Sequence, residues 1–150
     1  MPRLTATIIT RNESANIDAA IESVSWADEI VVVDAESTDD TAERARRHRA
    51  RVEVRPWPGF SAQKNYAASI ASNDWILSID ADERVTPELA DEIKALLASE
   101  PPHRGYRVPR LSWYLGRWIA APTGIRTISC VSTIAAPANG RSAGCTSRSL

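Results

Sequence analysis

A chain of 150 residues, 43% apolar and 25% charged with a formal net charge of −1, has the composition of one globular domain. That balance excludes intrinsic disorder along the whole length and gives no reason to expect nucleic acid as a partner. No apolar run approaches the roughly 20 residues of a membrane span, and Met1-Pro2-Arg3-Leu4 leads into a strand-like segment without a signal peptide's apolar region, so a cytoplasmic location is expected. Cys130 and Cys145 lack metal-ligand spacing, and neither a disulfide nor a zinc site is read from them.

Residues 4–10 (LTATIIT) form a β-branched run that predicts a first buried strand, broken at Arg11-Asn12-Glu13. Ser14 can cap a helix whose apolar face is Ile17, Ala20, Ile21 and Val24. Residues 29–33 predict a second strand ending in Asp34, followed by the capping-rich run Glu36-Ser37-Thr38-Asp39-Asp40-Thr41. The next helix, residues 42 to about 49, is basic on its exposed side, as suits a solvated face. Residues 51–55 read as a short third strand, and Pro56-Trp57-Pro58-Gly59-Phe60 as a loop.

A helix over residues 61–71 carries Gln63, Lys64 and Asn65 near its start. Residues 75–79 are too short and too rich in strand formers for a helix, and they run into Asp80 and Asp82. Thr86 then caps a helix with Pro87 in its first position and Leu89, Ile93, Leu96 and Leu97 on its apolar face, which Glu100-Pro101-Pro102 stops. Residues 105–119 are aromatic and basic, strand in part. His48 and His103 have no evident partner and are expected at the surface.

Alternation of strand and helix predicts an α/β fold, a mainly parallel sheet with helices on both faces. Such a topology brings three strand ends to one edge: Arg11-Asn12-Glu13, Asp34 to Asp39, and Asp80 to Glu83. Ligands of open α/β sheets bind at that edge. Asp80 and Asp82, converging there, would repel each other without a cation, and their hard oxygens suit Mg²⁺ or Mn²⁺ gripping a diphosphate. The plainer alternative is a solvated acidic turn that caps the next helix. Neither a G-x-G-x-x-G turn nor a P-loop lysine motif is present.

The segments TIITRNE, VVVDAESTDDT, GFSAQKNYA and WILSIDADERV, in that order and spacing, resemble the family-2 inverting glycosyltransferases of GT-A (Rossmann-like) fold. The likeness runs over residues 4–119 and is greatest to the branch that adds sugar to the lipopolysaccharide inner core. It implies a UDP-sugar donor, a lipid-linked saccharide acceptor and a divalent cation. Residue by residue, it implies a nucleotide-sugar site of Thr10, Asn12, Glu13, Asp34, Ser37, Asp39, Lys64, Asn65 and Asp80. Within that set Asp34 serves the uracil side, Asp80 the ribose and diphosphate, and Asp82, with Asp80, the metal.

Each assignment has a bland alternative: Asp34 and Asp39 as helix caps, Lys64 as a surface lysine, and Trp113, Tyr114 and Trp118 as core or acceptor-domain packing. Glu36 and Asp40 stand where the family often has small residues, and their charge would oppose nucleotide binding. An acceptor on lipid, with Arg104, Arg107, Arg110 and Arg117, favours peripheral contact at the cytoplasmic face of the inner membrane.

An inverting transferase needs a general base for the acceptor hydroxyl, which the family carries downstream of the D-x-D pair. Here Glu100 is the last acidic residue, so no catalytic base is identifiable. Residues 120–150 are rich in Ala, Ser, Thr, Pro, Gly and Arg, a composition that predicts a disordered tail. Shifted by one base, and with the free codon positions chosen, the same codons can read GTDWYPDYQLRLYDRRAGQRAVGRVHESV, whose WYPDYQLRL and VHE resemble what the family carries there. The expectation is a frameshift near Ile119 and Ala120, leaving residues 1–119 as the nucleotide-sugar part of an incomplete fold. Three functions are thus weighed: a transferase, a chain that binds UDP and metal without transfer, and, least supported, a phosphoacceptor signalling domain.

Overall fold

The computed structural model describes residues 2–99, 101, 103, 105–108, 111–114, 117–120 and 129–133, the last three stretches as backbone only. The elements in chain order are β1 (Leu4–Thr10), α1 (Ile17–Ser23), β2 (Glu29–Asp34), α2 (Thr41–Arg47), β3 (Arg51–Val54), α3 (Phe60–Ser69), β4 (Trp75–Asp80) and α4 (Pro87–Ala98). They are followed by β5 (Gly105–Val108), β6 (Leu111–Tyr114), β7 (Arg117–Ala120) and β8 (Ser129–Thr133). Six strands make one sheet in the order β3-β2-β1-β4-β8-β5, and β6 pairs with β7 in an antiparallel hairpin.

All seven residues of β1 are buried, which is why its sequence is continuously apolar or β-branched instead of alternating. It pairs in parallel with β2 on one side and β4 on the other, and β3 extends the parallel set beyond β2. Leu4, Ala6 and Ile8 face one layer, packed with Ile17, Ala20 and Ile21 of α1, Ala45 of α2, and Ala90, Ile93 and Leu97 of α4. Ile9 faces the other layer, with Val31, Val33 and the α3 residues Tyr66 and Ala67. Helices therefore cover both faces of a mainly parallel sheet, as the alternation of elements implied.

Several boundaries differ from the sequence reading, each for a local reason. Ser14 does not cap α1: its backbone N–H donates to Asp39 at 3.2 Å, and the carbonyl of Glu13 takes the amides of Asn16 and Ile17 in a preceding turn. The helix starts only after Asn16, whose side chain makes no capping bond. Helix α3 begins at Phe60 because Gly59 holds φ 108° and ψ 159°, a conformation open to glycine alone, and so turns the chain directly into the helix. Thr86 caps α4 as read, accepting from the Leu89 N–H at 3.3 Å, with Pro87 in the first turn.

The basic side of α2 is not merely solvated. Arg44 bonds Asp18 at 2.7 Å and Asp40 at 2.8 Å, and Arg47 bonds Glu43 at 2.6 Å. His48, expected to lack a partner, lies with Nε2 3.0 Å from Asp18 of α1. The sequence could not show this, because the two residues meet only once α1 and α2 lie side by side.

Of residues 120–150, expected to lack stable structure, Ala120 ends β7 and Ser129–Thr133 form β8, antiparallel between β4 and β5. The remainder of that segment, Cys145 included, lies outside the described residues, as do Glu100, Arg104 and Arg110. Trp113, Tyr114 and Trp118 belong to the β6–β7 hairpin, their side chains outside the description. Among the described residues no helix is long and apolar enough to cross a membrane.

Candidate functional site

The parallel register fixes the site. Thr10 lies opposite Asp34 on β2, and Ile9 opposite Asp80 on β4, so three strands deliver polar termini to one sheet edge. Two loops then lock together. Both carboxylate oxygens of Asp34, a residue only 1% exposed, accept from Ser37: one from its backbone N–H at 2.9 Å, the other from its hydroxyl at 2.5 Å. The Ser37 hydroxyl oxygen accepts from the Asn12 N–H at 2.8 Å, and the Asn12 side-chain oxygen accepts from the Thr38 N–H at 2.8 Å. Asn12 holds φ 53°, the left-handed region that asparagine tolerates best after glycine.

A second link runs through Asp39. Its carboxylate takes the Thr41 hydroxyl, the Thr41 N–H at 3.1 Å and the Ser14 N–H at 3.2 Å, while the Thr41 hydroxyl oxygen accepts from the Glu13 N–H at 2.9 Å. The Thr41 hydroxyl is the main cause that lowers the Asp39 pKa from 3.8 to about 2, residual desolvation opposing and the amides adding to the drop. Asn12, Glu13, Asp34, Ser37 and Asp39 thus form one hydrogen-bonded frame that ties the β1–α1 loop to the β2–α2 loop. Glu36 (φ 51°) and Asp40 flank this frame on the exposed side, and the charge of Asp40 is paired with Arg44.

Beside the frame lies a cavity of about 390 Å³, lined by Ile9, Thr10, Arg11, Glu13, Trp57, Phe60, Asp80, Ala81 and Asp82. Of the residues read from sequence, Thr10, Glu13, Asp80 and Asp82 reach it. Asp34, Asn12, Ser37 and Asp39 instead build the wall behind, and Asn65 is exposed on α3 without lining it. Among the described residues Thr10 Oγ is buried without a hydrogen-bond partner. Lys64 is no ordinary surface lysine: Nζ stands 2.9 Å from Asp80 Oδ1.

The acidic end is a tight turn. Asp80 N–H donates to the Glu83 carboxylate at 2.8 Å and the Glu83 N–H returns to the Asp80 carbonyl at 3.0 Å, which leaves Asp82 exposed in the turn between them. Among the described residues no group of three or more His, Cys, Asp or Glu is placed to hold a metal. Two carboxylates on one cavity wall fit an ion of the Mg²⁺ type, which takes one or two protein carboxylates and completes its shell from substrate phosphates and water.

The apolar end was missed in the sequence. Trp57 and Phe60 meet edge to face, ring centroids 4.8 Å apart at 90°, and remain 37% and 68% exposed. The only signal was two large aromatics within a Pro- and Gly-braced loop, where no periodicity applies.

Comparison with known proteins agrees with this architecture. The family described as Glycosyl transferase family 2 matches residues 5–109. An uncharacterized glycosyltransferase of Rickettsia felis is 52% identical over 100 residues, covering 66% of this chain and 35% of that protein. The lipopolysaccharide core biosynthesis glycosyltransferase LpsC of Rhizobium meliloti is 37% identical over 118 residues, covering 75% of this chain and 44% of that protein. Among solved structures, glucosyl-3-phosphoglycerate synthase of Mycobacterium tuberculosis, crystallised with Mn²⁺, UDP and glucosyl-3-phosphoglycerate, superposes with a TM-score of 0.58 at 25% identity. That superposition covers 69% of this chain and 42% of that one. The chain thus spans less than half the length of each of these proteins.

Proposed function

Because the chain belongs to glycosyl transferase family 2, we propose that its sheet edge is the donor half of a transferase site that moves a sugar from a UDP-sugar to a lipopolysaccharide or other cell-envelope saccharide with inversion. The observation that carries this reading is a single cavity lined both by two carboxylates, Asp80 and Asp82, and by an aromatic pair, Trp57 and Phe60. A nucleoside diphosphate needs both kinds of contact, a cation site for its phosphates and an apolar surface for its base. Lipid linkage of the acceptor, and contact with the cytoplasmic face of the inner membrane, belong to the same proposal.

In this reading Asp80 and Asp82 hold Mg²⁺ or Mn²⁺ against the diphosphate. A bound divalent ion neutralises the charge that develops on the departing phosphate. Thr10 offers its unpartnered hydroxyl to the nucleotide, and the Asp34–Ser37–Asn12 frame holds the β1 terminus rigid, so that binding spends little on ordering the loops. Glu13, fixed by the Asn16 side-chain amide at 2.7 Å, keeps a carboxylate on the cavity wall.

A titration of UDP by calorimetry, with and without Mn²⁺, tests this. The protein binds UDP in the presence of the ion and loses that binding in Asp82→Ala, with an unchanged circular dichroism spectrum. Binding that persists in Asp82→Ala would refute the metal-ligand assignment.

A second reading, binding without transfer, is favoured by the lack of any acidic residue after Glu100. We further propose that residues 120–150 are the product of a shifted reading frame. The relatives above align over 100 and 118 residues only. The shifted reading also lays QLRLY over the codons of β8, an alternation suited to a strand with one face on a core.

A further inference from the structure

Lys64 stands one turn beyond Phe60 on α3, so the two side chains share a helix face: Phe60 lines the cavity, and Lys64 reaches Asp80, which lines it too. Its ammonium lies 2.9 Å from Asp80 Oδ1, each side chain only 25% exposed. Asp80 is the same residue that, with Asp82, offers oxygens to a divalent ion. One carboxylate is therefore shared between a resident ammonium and the place proposed for the ion.

The consequence follows from counting charge. An ion of charge +2 that enters between Asp80 and Asp82 without nucleotide finds one of those two carboxylates already in contact with a resident +1, Lys64, while Glu13 and Arg11, which line the same cavity, offset each other in charge. The partly buried position strengthens the repulsion between ion and ammonium relative to water. When the ion arrives with a nucleoside diphosphate, the phosphate oxygens supply both the missing negative charge and new acceptors for the ammonium. A lysine suits such an exchange, being a compact charge on a flexible stem, whereas arginine would favour a fixed two-point grip.

We propose that Lys64 holds the place of the divalent cation in the nucleotide-free protein and passes from Asp80 to the diphosphate when ion and nucleotide enter together. Metal binding is thereby made conditional on nucleotide. This rests on the proposed reading of the site as one for a metal–UDP pair. By linkage the coupling is reciprocal: whatever factor UDP adds to ion affinity, the ion adds to UDP affinity. Arg11 lines the same cavity but is exposed, and it serves as the control for simple loss of positive charge.

The test measures Mn²⁺ binding by electron paramagnetic resonance, with Mn²⁺ alone and with Mn²⁺ plus UDP, in the wild-type chain, Lys64→Met, Lys64→Arg and Arg11→Ala. Lys64→Met binds Mn²⁺ alone about tenfold more tightly than wild type and the Mn²⁺–UDP pair less tightly, so that the coupling collapses. Lys64→Arg keeps free-ion affinity low, and Arg11→Ala weakens UDP without tightening free Mn²⁺. Should Lys64→Met fail to fold, Lys64→Gln takes its place.

Free-ion affinity unchanged or lower in the neutral variant overturns the proposal and leaves Lys64 a plain phosphate ligand. Failure of the wild-type chain to bind UDP with Mn²⁺ at all overturns the functional reading as well. The two failures are thus distinct.

Discussion

Asp39 shows how one side chain can hold a helix start and a neighbouring loop together. Its lowered pKa, about 2 against an ordinary 3.8, arises first from the Thr41 hydroxyl and then from amides on two loops. The sign follows directly. A carboxyl whose folded pKa is depressed contributes stability fully above its unfolded value and loses it as pH falls through the folded one. Between pH 4 and about 2 the clamp on Ser14 and Thr41 therefore releases. The protection of the amides at these two positions, taken relative to intrinsic exchange at each pH, should fall across that window, and in Asp39→Asn it should already be lower at neutral pH. That the run Glu36 to Thr41 leads into a helix was legible, although Asp40 at the N-cap position makes no capping bond and Asp39 takes the Thr41 N–H instead. The cross-loop partner Ser14 was not legible, because nothing local to Asp39 marks a residue brought up from the preceding loop.

At the scale of elements, the loop between β3 and α3 is the part that sequence reasoning left without a role. Arg55 braces it, lying 4.1 Å over the ring of Tyr66 while its backbone N–H bonds the Asp34 carbonyl at 3.0 Å; Pro56 and Pro58 restrict the backbone, and Gly59 supplies the turn into α3. Trp57 and Phe60 are thereby held out over the cavity. The two rings line the same cavity as Asp80 and Asp82, and in the proposed reading they are the surface on which the nucleobase of a bound nucleotide would stack. Replacing both aromatics with alanine is expected to weaken UDP and uridine binding about tenfold, in line with stacking worth about 1–3 kcal/mol per base. Binding of Mn²⁺-pyrophosphate should stay unchanged. Equal loss for pyrophosphate would point to a collapsed loop instead of a lost stacking surface. Strands and helices announce themselves by their period; a loop's contribution depends on where its two ends are anchored.

For the whole molecule, β1 to β4 with α1 to α4 were readable because several levels agreed: buried strands were apolar, α4 carried its capping threonine and first-turn proline, and acidic or polar residues followed strands. Beyond α4 the agreement ends. β5 and the β6–β7 hairpin lie within the aromatic, basic stretch that was read as strand only in part, and β8 lies in a segment whose composition argued against order. The proposed reading-frame shift would account for that conflict between composition and position. Sequencing the gene across the codons for Gly116 to Thr123 decides it. With a base restored, the longer product should transfer sugar from a UDP-sugar to a saccharide acceptor, whereas the 150-residue chain should bind UDP with Mn²⁺ and transfer nothing. Transfer by the shorter chain would show that its own residues supply the base.

The position of β1 at the centre of the sheet also orders events on the ribosome. Ile8 faces Val32 on one edge and Ile79 on the other, so the first edge is matched soon after synthesis and the second must wait until β4 emerges. During that interval the nascent chain carries an open, apolar strand edge, the kind of surface that chaperones shield and that neighbouring chains adhere to. The cavity does not exist until that edge is closed, since Asp80 arrives on the strand that closes it. A ligand that needs both β1 and β4 then acts as a latch on the last step of folding, favouring the closed sheet by mass action.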